Sequence, residues 1–229
     1  ITCRDWSSDV CSSDLQMGSG IAQVCAAAGY SVVMYDAVSD QVPRALASIG
    51  KSLSRLVEKG LIDQRALDET LGRIAVAPSI EAFSEADLVV EAIREDESMK
   101  LDLFKCLDRV TPSSTILASN TSSIPITRLG AVTSRPASVI GMHFMNPVPI
   151  MRLVEVIRGY ATSDETFETV CAVIKALRKE VAVSQDYPGF IVNRILIPMV
   201  NEAAYAVFEG LASPEDIDKA MTLGTNQPM

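Results

Sequence analysis

The segment Cys11-Ser12-Ser13-Asp14-Leu15-Gln16-Met17-Gly18-Ser19-Gly20 (CSSDLQMGSG, residues 11–20) closes like a glycine-rich phosphate loop but does not open like one. A dinucleotide-binding unit is written as strand, G-x-G-x-x-G, helix, second strand and an acidic residue. Its glycines allow a tight turn, close approach of backbone to pyrophosphate, and helix–strand packing. Gly18 fits the third of these positions, with Met17 beside it. Gly20 and the small residues Ala22, Ala26, Ala27 and Ala28 suit a helix over 17–28 pressed on a sheet, and Gly29 is placed to cap it. The run Ser31-Val32-Val33-Met34-Tyr35-Asp36 then reads as the second strand, ending in an acid eighteen residues beyond Gly18. A carboxylate at Asp36 would accept hydrogen bonds from ribose hydroxyls and repel a 2′-phosphate, which selects NAD over NADP. Against this, the first two glycine positions fall on Ser13 and Leu15, and a Leu side chain obstructs the pyrophosphate. The preceding stretch Asp5-Trp6-Ser7-Ser8-Asp9-Val10 is too polar for a central strand. On the glycines alone two readings stay open: a nucleotide-binding fold whose first strand has been replaced, and a helix that starts on a tightly packed glycine.

Outward from this segment, apolar runs of strand length alternate with helical patterns. Ile74–Ala77, Asp87–Ala92 and Thr115–Ser119 are nearly continuous in apolar residues, as strands buried on both faces of a parallel sheet are. Helical stretches lie over 40–59, 63–72 and 97–110, so the fold class is α/β with a mostly parallel, Rossmann-like sheet. Val139–His143 and Met151–Ile157 are separated by too few residues for a parallel crossover, so they should pair as a hairpin. A helix over 163–179 and a short strand Val181–Val183 precede the break Asp186-Tyr187-Pro188-Gly189. From Phe190 the pattern is helical, over 190–209 and again from Ser213, a plausible N-cap with Pro214 at the first helical position. The expected organisation is therefore a dinucleotide-binding domain over 16–184 and a helical domain over 185–229.

With 229 residues, 48% of them hydrophobic, the chain is long enough for a substantial core. Its net charge of −9 argues against a nucleic-acid partner, which needs clustered Lys and Arg. The five cysteines, at 3, 11, 25, 106 and 171, form no CxxC pair, which disfavours a disulfide framework or a metal site and fits a reducing compartment. No apolar run approaches the ~20 residues of a membrane span. The first residues lack the apolar stretch of a signal peptide, so a cytoplasmic location is expected.

His143 is the only histidine, and its side-chain type exchanges protons near neutrality. Glu155 interrupts the apolar strand Leu153-Val154-Glu155-Val156-Ile157, where a carboxylate is costly without a partner. The expected hairpin puts these two on neighbouring strands, where a carboxylate would fix the tautomer of the ring and stabilise its charged form. Asn120-Thr121-Ser122-Ser123 and Asn146 follow strand ends, where ligands bind in open parallel sheets. On its own the 120–123 segment reads first as a turn and helix cap.

Four segments together carry a resemblance: Ser119–Ser123, Gly141-Met142-His143-Phe144-Met145-Asn146-Pro147-Val148-Pro149, Leu153–Ile157, and Pro188-Gly189-Phe190-Ile191-Val192-Asn193-Arg194. In this order they resemble the 3-hydroxyacyl-CoA dehydrogenase family, from about Gln16 to Met229. The resemblance implies reversible oxidation of an L-3-hydroxyacyl-CoA thioester, of the short-chain 3-hydroxybutyryl type, with NAD as cofactor. It implies His143 as general base, Glu155 as its orienting acid, and Ser122 and Asn193 near the reacting oxygen. It places Met17, Gly18, Asp36, Glu95, Lys100 and Asn120 at the cofactor. It puts Asn146 beside the substrate and Ser52 and Lys59 at coenzyme A, although these two also read as a solvated helix face. A homodimer formed through the helical domain is implied as well. The first fifteen residues depart from the family and look like foreign sequence in place of its first strand. The family also continues for several helices where this chain stops, which predicts exposed apolar surface at Ile195, Leu196, Val200 and Val207. The alternative is a non-catalytic binding or structural member of the same fold; a part of a multifunctional enzyme is weakened by the lack of a hydratase-like segment.

Overall fold

The structure, a computed structural model, describes residues 12–38 and 40–227, with Ser12–Leu15 described by backbone alone. The stretch Asp5–Val10 lies outside the described residues. The chain divides into two compact units, one ending at Pro188 and one running from Gly189 to Met229.

The first unit opens with helix α1 (Ser12–Ala27), which begins five residues before the stretch read as helical from the sequence. With Ser13 and Leu15 where a phosphate loop carries glycine, nothing in the backbone demands a left-handed turn, and residues 12–18 continue the helix instead. Gly18 is therefore inside α1, and buried, rather than at its start. Gly29, at φ +99°, ends the helix as expected: Gly29 N–H bonds Ala26 O and Tyr30 N–H bonds Cys25 O, the paired closure that a left-handed residue makes possible.

Strands β1 (Val32–Met34) and β2 (Ile74–Val76) pair in parallel, linked by helices α2 (Gln41–Glu58) and α3 (Gln64–Gly72). The second sheet has the order β3-β4-β5-β6-β7, built from Leu88–Glu91, Ile116–Ser119, Val139–Phe144, Leu153–Arg158 and Glu180–Gln185. Strands β3, β4 and β5 are parallel, with Glu91 opposite Ser119 and Ser119 opposite Gly141, so their carboxyl ends emerge side by side. The expected hairpin is present: β6 runs antiparallel to β5, and β7 returns parallel to β6. Helix α4 (Glu97–Val110) crosses between β3 and β4. Helix α6 (Asp164–Ala176) crosses between β6 and β7 and is started by Ser163, whose side chain accepts from Thr166 N–H. A short helix α5 (Ile126–Ala131) and 3₁₀ turns at Ile80–Glu85 and Pro136–Ser138 were not read from the sequence, being too short to show a period.

The continuous apolar runs behave as their composition requires. Val89, Val90, Leu117, Ala118, Ile140, Met142, Val154 and Val156 are almost fully buried, and Phe104 and Leu107 of α4 have no exposed surface. Truncating such a side chain costs ~2–5 kcal/mol, so the sheet platform is held firmly under the loops at its carboxyl ends. Gly141 admits no side chain: a Cβ there would stand 2.8 Å from Ile157 Cβ on β6.

The second unit contains α7 (Val192–Phe208) and α8 (Pro214–Thr225). Ser213 caps α8 by accepting from Asp216 N–H, with Pro214 at the first position, as the sequence predicts. Ile195, Leu196, Val200 and Val207 are exposed, at 64%, 41%, 57% and 39%.

Candidate active site

The β5–β6 register sets His143 directly opposite Glu155. In an antiparallel pair such residues share a face, so sheet geometry alone brings ring and carboxylate together. Nδ1 of His143 stands 2.7 Å from Glu155 Oε2. Glu155 is fully buried and His143 is 6% exposed. A carboxylate accepts only, so Nδ1 carries the proton in this bond and Nε2 is the basic nitrogen of the neutral ring. Ser122 Oγ lies 3.1 Å from Nε2 and donates to it. The three side chains form one line, from a buried acid through the ring to a hydroxyl at the sheet's carboxyl end.

The hydroxyl is held by its own loop. Glu95 Oε1 accepts from Ser122 N–H at 2.8 Å, Ser123 N–H at 2.9 Å, Ser123 Oγ at 2.9 Å and Thr121 Oγ1. Partial burial pushes the Glu95 carboxyl up, but the Lys100 charge and the donors of Thr121, Ser123 and Ser122 outweigh it, and the group sits below its ordinary value. Lys100 is 1% exposed, and its ammonium donates to Glu91 Oε1 at 2.6 Å and Ile93 O at 3.0 Å, with Glu95 Oε2 3.4 Å away. Asn120 is tied to the same sheet end: its Oδ1 accepts from Phe144 N–H at 2.8 Å.

The remaining predicted positions are distributed along the fold. Asp36 follows β1, is 9% exposed, and its Oδ1 accepts from Val38 N–H at 2.8 Å, a turn that fixes the carboxylate at the strand end. Met17 is half-buried on α1, packed against the core. Asn146 is exposed in the loop after β5. That loop is fastened by Lys179, whose Nζ donates to Val148 O at 2.6 Å and Met151 O at 2.7 Å, burial lowering its basicity. Ser52 is half-buried on α2, and Lys59 is exposed at its end. Asn193 is half-buried near the start of α7, in the second unit.

Sequence reasoning missed Glu91 and Ser119. Glu91 is fully buried, and Ser119 Oγ donates to its Oε2 at 2.6 Å. The signal was available, since Glu91 ends an apolar strand just as Glu155 interrupts one. A dinucleotide suits this donor set in part: an anionic acceptor ends β1, and polar side chains gather at the ends of β3, β4 and β5. At the pyrophosphate position the backbone is helical, where a loop of exposed N–H groups would serve better. Among the described residues there is no metal-binding group, and no helix is long and apolar enough to cross a membrane.

Comparison with known proteins places both units in one family. The family description "3-hydroxyacyl-CoA dehydrogenase, NAD binding domain" matches residues 16–187, and "3-hydroxyacyl-CoA dehydrogenase, C-terminal domain" matches 189–229. The chain is 51% identical over 214 residues to a Bacillus subtilis protein named "Probable 3-hydroxybutyryl-CoA dehydrogenase", covering 93% of this chain and 75% of that one. It is 45% identical over 219 residues to human mitochondrial hydroxyacyl-coenzyme A dehydrogenase, covering 93% and 70%. A crystal structure of (S)-3-hydroxybutyryl-CoA dehydrogenase from Ralstonia eutropha superposes with a TM-score of 0.93 at 44% identity, covering 99% of this chain and 77% of that one.

Proposed function

This chain belongs to the 3-hydroxyacyl-CoA dehydrogenase family, and on that premise we propose that it interconverts a short-chain L-3-hydroxyacyl-CoA, 3-hydroxybutyryl-CoA foremost, and the 3-ketoacyl-CoA. The observation that carries the reading is the line Glu155–His143–Ser122, with contacts of 2.7 and 3.1 Å. In the oxidative direction His143 Nε2 takes the proton of the 3-hydroxyl. Positive charge then develops on the ring, and the buried Glu155 carboxylate balances it. Ser122 Oγ, already within reach of Nε2, donates to the substrate oxygen as it becomes a carbonyl. NAD, when bound, supplies the hydride acceptor. Asp36, Glu95, Asn120 and Met17 are the residues we assign to hold it, with Gly18 packed inside α1 and Lys100 acting through Glu95.

Asn193 is assigned as a second donor to the reacting oxygen, Asn146 as a substrate contact, and Ser52 and Lys59 as coenzyme A contacts. The support for these is the family resemblance of the segments that carry them. A homodimer is supported by the family resemblance of the helical segment, which in that family carries the dimer interface. A cytoplasmic location is supported by the free thiols Cys25, Cys106 and Cys171, which fit a reducing compartment.

The test is NADH consumption, followed by absorbance, against acetoacetyl-CoA and ketoacyl-CoAs of increasing length. Turnover that falls with chain length and vanishes in His143→Gln, with folding intact, is expected. Equal turnover in that variant would remove His143 from its role.

A further inference from the structure

We infer that Glu91, a carboxylate sealed inside the sheet, is a positioning residue that sets Ser122 against His143. The inference rests on the reading of His143 as the base. Glu91 ends β3 and sends two separate chains of contacts to the same loop. Through Oε2 it accepts from Ser119 Oγ at 2.6 Å, and that oxygen in turn accepts from Thr121 N–H at 3.1 Å. Through Oε1 it accepts from Lys100 Nζ at 2.6 Å, and from Ile93 N–H at 2.6 Å. Lys100 also stands 3.4 Å from Glu95 Oε2, and Glu95 Oε1 gathers Thr121, Ser122 and Ser123. Both routes end on the backbone that carries the Ser122 hydroxyl, 3.1 Å from the ring.

The chemistry explains the cost of burying so many polar groups. The Lys100 ammonium donates to Glu91 Oε1 and Ile93 O and forms an ion pair with Glu95 Oε2 at 3.4 Å. A buried ammonium and carboxylate are tolerated when hydrogen bonds and opposite charge meet them, and a network tied in this way is rigid. The ammonium therefore aligns Glu95 rather than reaching a ligand itself. A hydroxyl displaced by about 1 Å from its working place costs on the order of a hundredfold in rate, so the rigidity serves Ser122 directly.

Because His143 is the chain's only histidine, ¹⁵N labelling of histidine gives one imidazole. Its Nε2 resonance reports the Ser122 bond without any need for turnover. Glu91→Gln leaves the Lys100 charge buried beside a neutral amide and is at risk of not folding, so two further variants carry the test. Ser119→Ala cuts the first route, and Glu91→Gln/Lys100→Met removes both charges of the second. We expect each to move the Nε2 resonance in the same direction as Ser122→Ala. We also expect kcat for acetoacetyl-CoA reduction to fall about tenfold or more, with KM little changed. An Nε2 resonance at its native position in both folded variants overturns the inference whatever the activity. Absence of turnover in the native chain at saturating NADH, with the resonance moving as expected in the variants, would instead overturn the dehydrogenase reading alone.

Discussion

His143 and Glu155 sit opposite each other across two antiparallel strands, with 2.7 Å between Nδ1 and Oε2. The pairing is a consequence of register: a slip of one residue would turn one of them to the other face of the sheet. Since both are buried, the carboxylate is the counter-charge the ring meets on taking a proton. Glu155→Gln keeps the shape and removes that charge, and it also offers Nδ1 an amide donor that favours the wrong tautomer. We expect kcat to fall on the order of 10²–10⁴-fold, with the circular dichroism spectrum unchanged. A variant retaining most of its turnover would show that the pair is structural.

Ser122→Ala removes one donor to the substrate oxygen and leaves the Glu95 bond to Ser122 N–H in place. The loop therefore keeps its position, and the loss falls on the chemical step. A decrease in kcat of about 10²-fold is expected, with KM for NADH nearly constant. A rise in KM at unchanged kcat would assign Ser122 to binding instead.

How much of this was legible in the sequence differs by element. The Val139–Ile157 hairpin could be read from loop length, and the meeting of His143 and Glu155 followed from it, because strand pairing is a short-range consequence of chain geometry. The strands could be read from their continuous apolar runs, which only burial on both faces explains. Glu91 and Ser119 were not singled out, since a side chain of either type at a strand end usually caps or faces solvent. Only the register Glu91↔Ser119 and the reach of Lys100 from α4 show that they meet. The start of the first helix was placed by motif spacing at residue 17, whereas α1 begins at Ser12, because no glycine at 13 or 15 breaks it.

Glu95 gives a pH dependence whose sign follows from its environment. Burial alone would raise its carboxyl, but Lys100 and the loop donors hold it below the ordinary carboxylate value. The folded state thus binds the proton less readily than the unfolded chain. The resulting stabilisation is complete above the ordinary value and is lost as pH falls through the lowered one. Glu95→Gln should flatten the stability–pH curve in that acid window. Urea unfolding of both proteins across the window measures this, and parallel curves would contradict it.

Gly141→Ala tests the close approach of β5 and β6. The added methyl would stand 2.8 Å from Ile157 Cβ, which is fixed to the β6 backbone, and 3.1 Å from Ile126 Cδ1, the movable end of its side chain. Strands must separate to accept it, at a cost of ~1–3 kcal/mol. A lower urea midpoint at unchanged slope is expected. The same separation lies two residues from His143, so kcat should fall along with stability. An unfolding midpoint equal to the native one would mean that the strands adjust freely.

The helical course of residues 12–18 predicts weak cofactor binding by this polypeptide. Within a helix, backbone N–H groups beyond the first turn are used by carbonyls four residues back and do not reach a pyrophosphate. Glycine costs a helix about 1 kcal/mol per position relative to alanine. Ser13→Gly with Leu15→Gly therefore favours an open loop there, and replacing Asp5–Val10 with an apolar β-branched run supplies a strand to precede it. Together these changes should tighten NADH binding by tenfold or more, about 1.4 kcal/mol, as read by fluorescence titration. Glycines added without the apolar run should give less, because the polar sequence Asp5–Val10 is a poor strand former. Equal affinity in all three proteins would show that the 12–18 backbone takes no part in holding the cofactor.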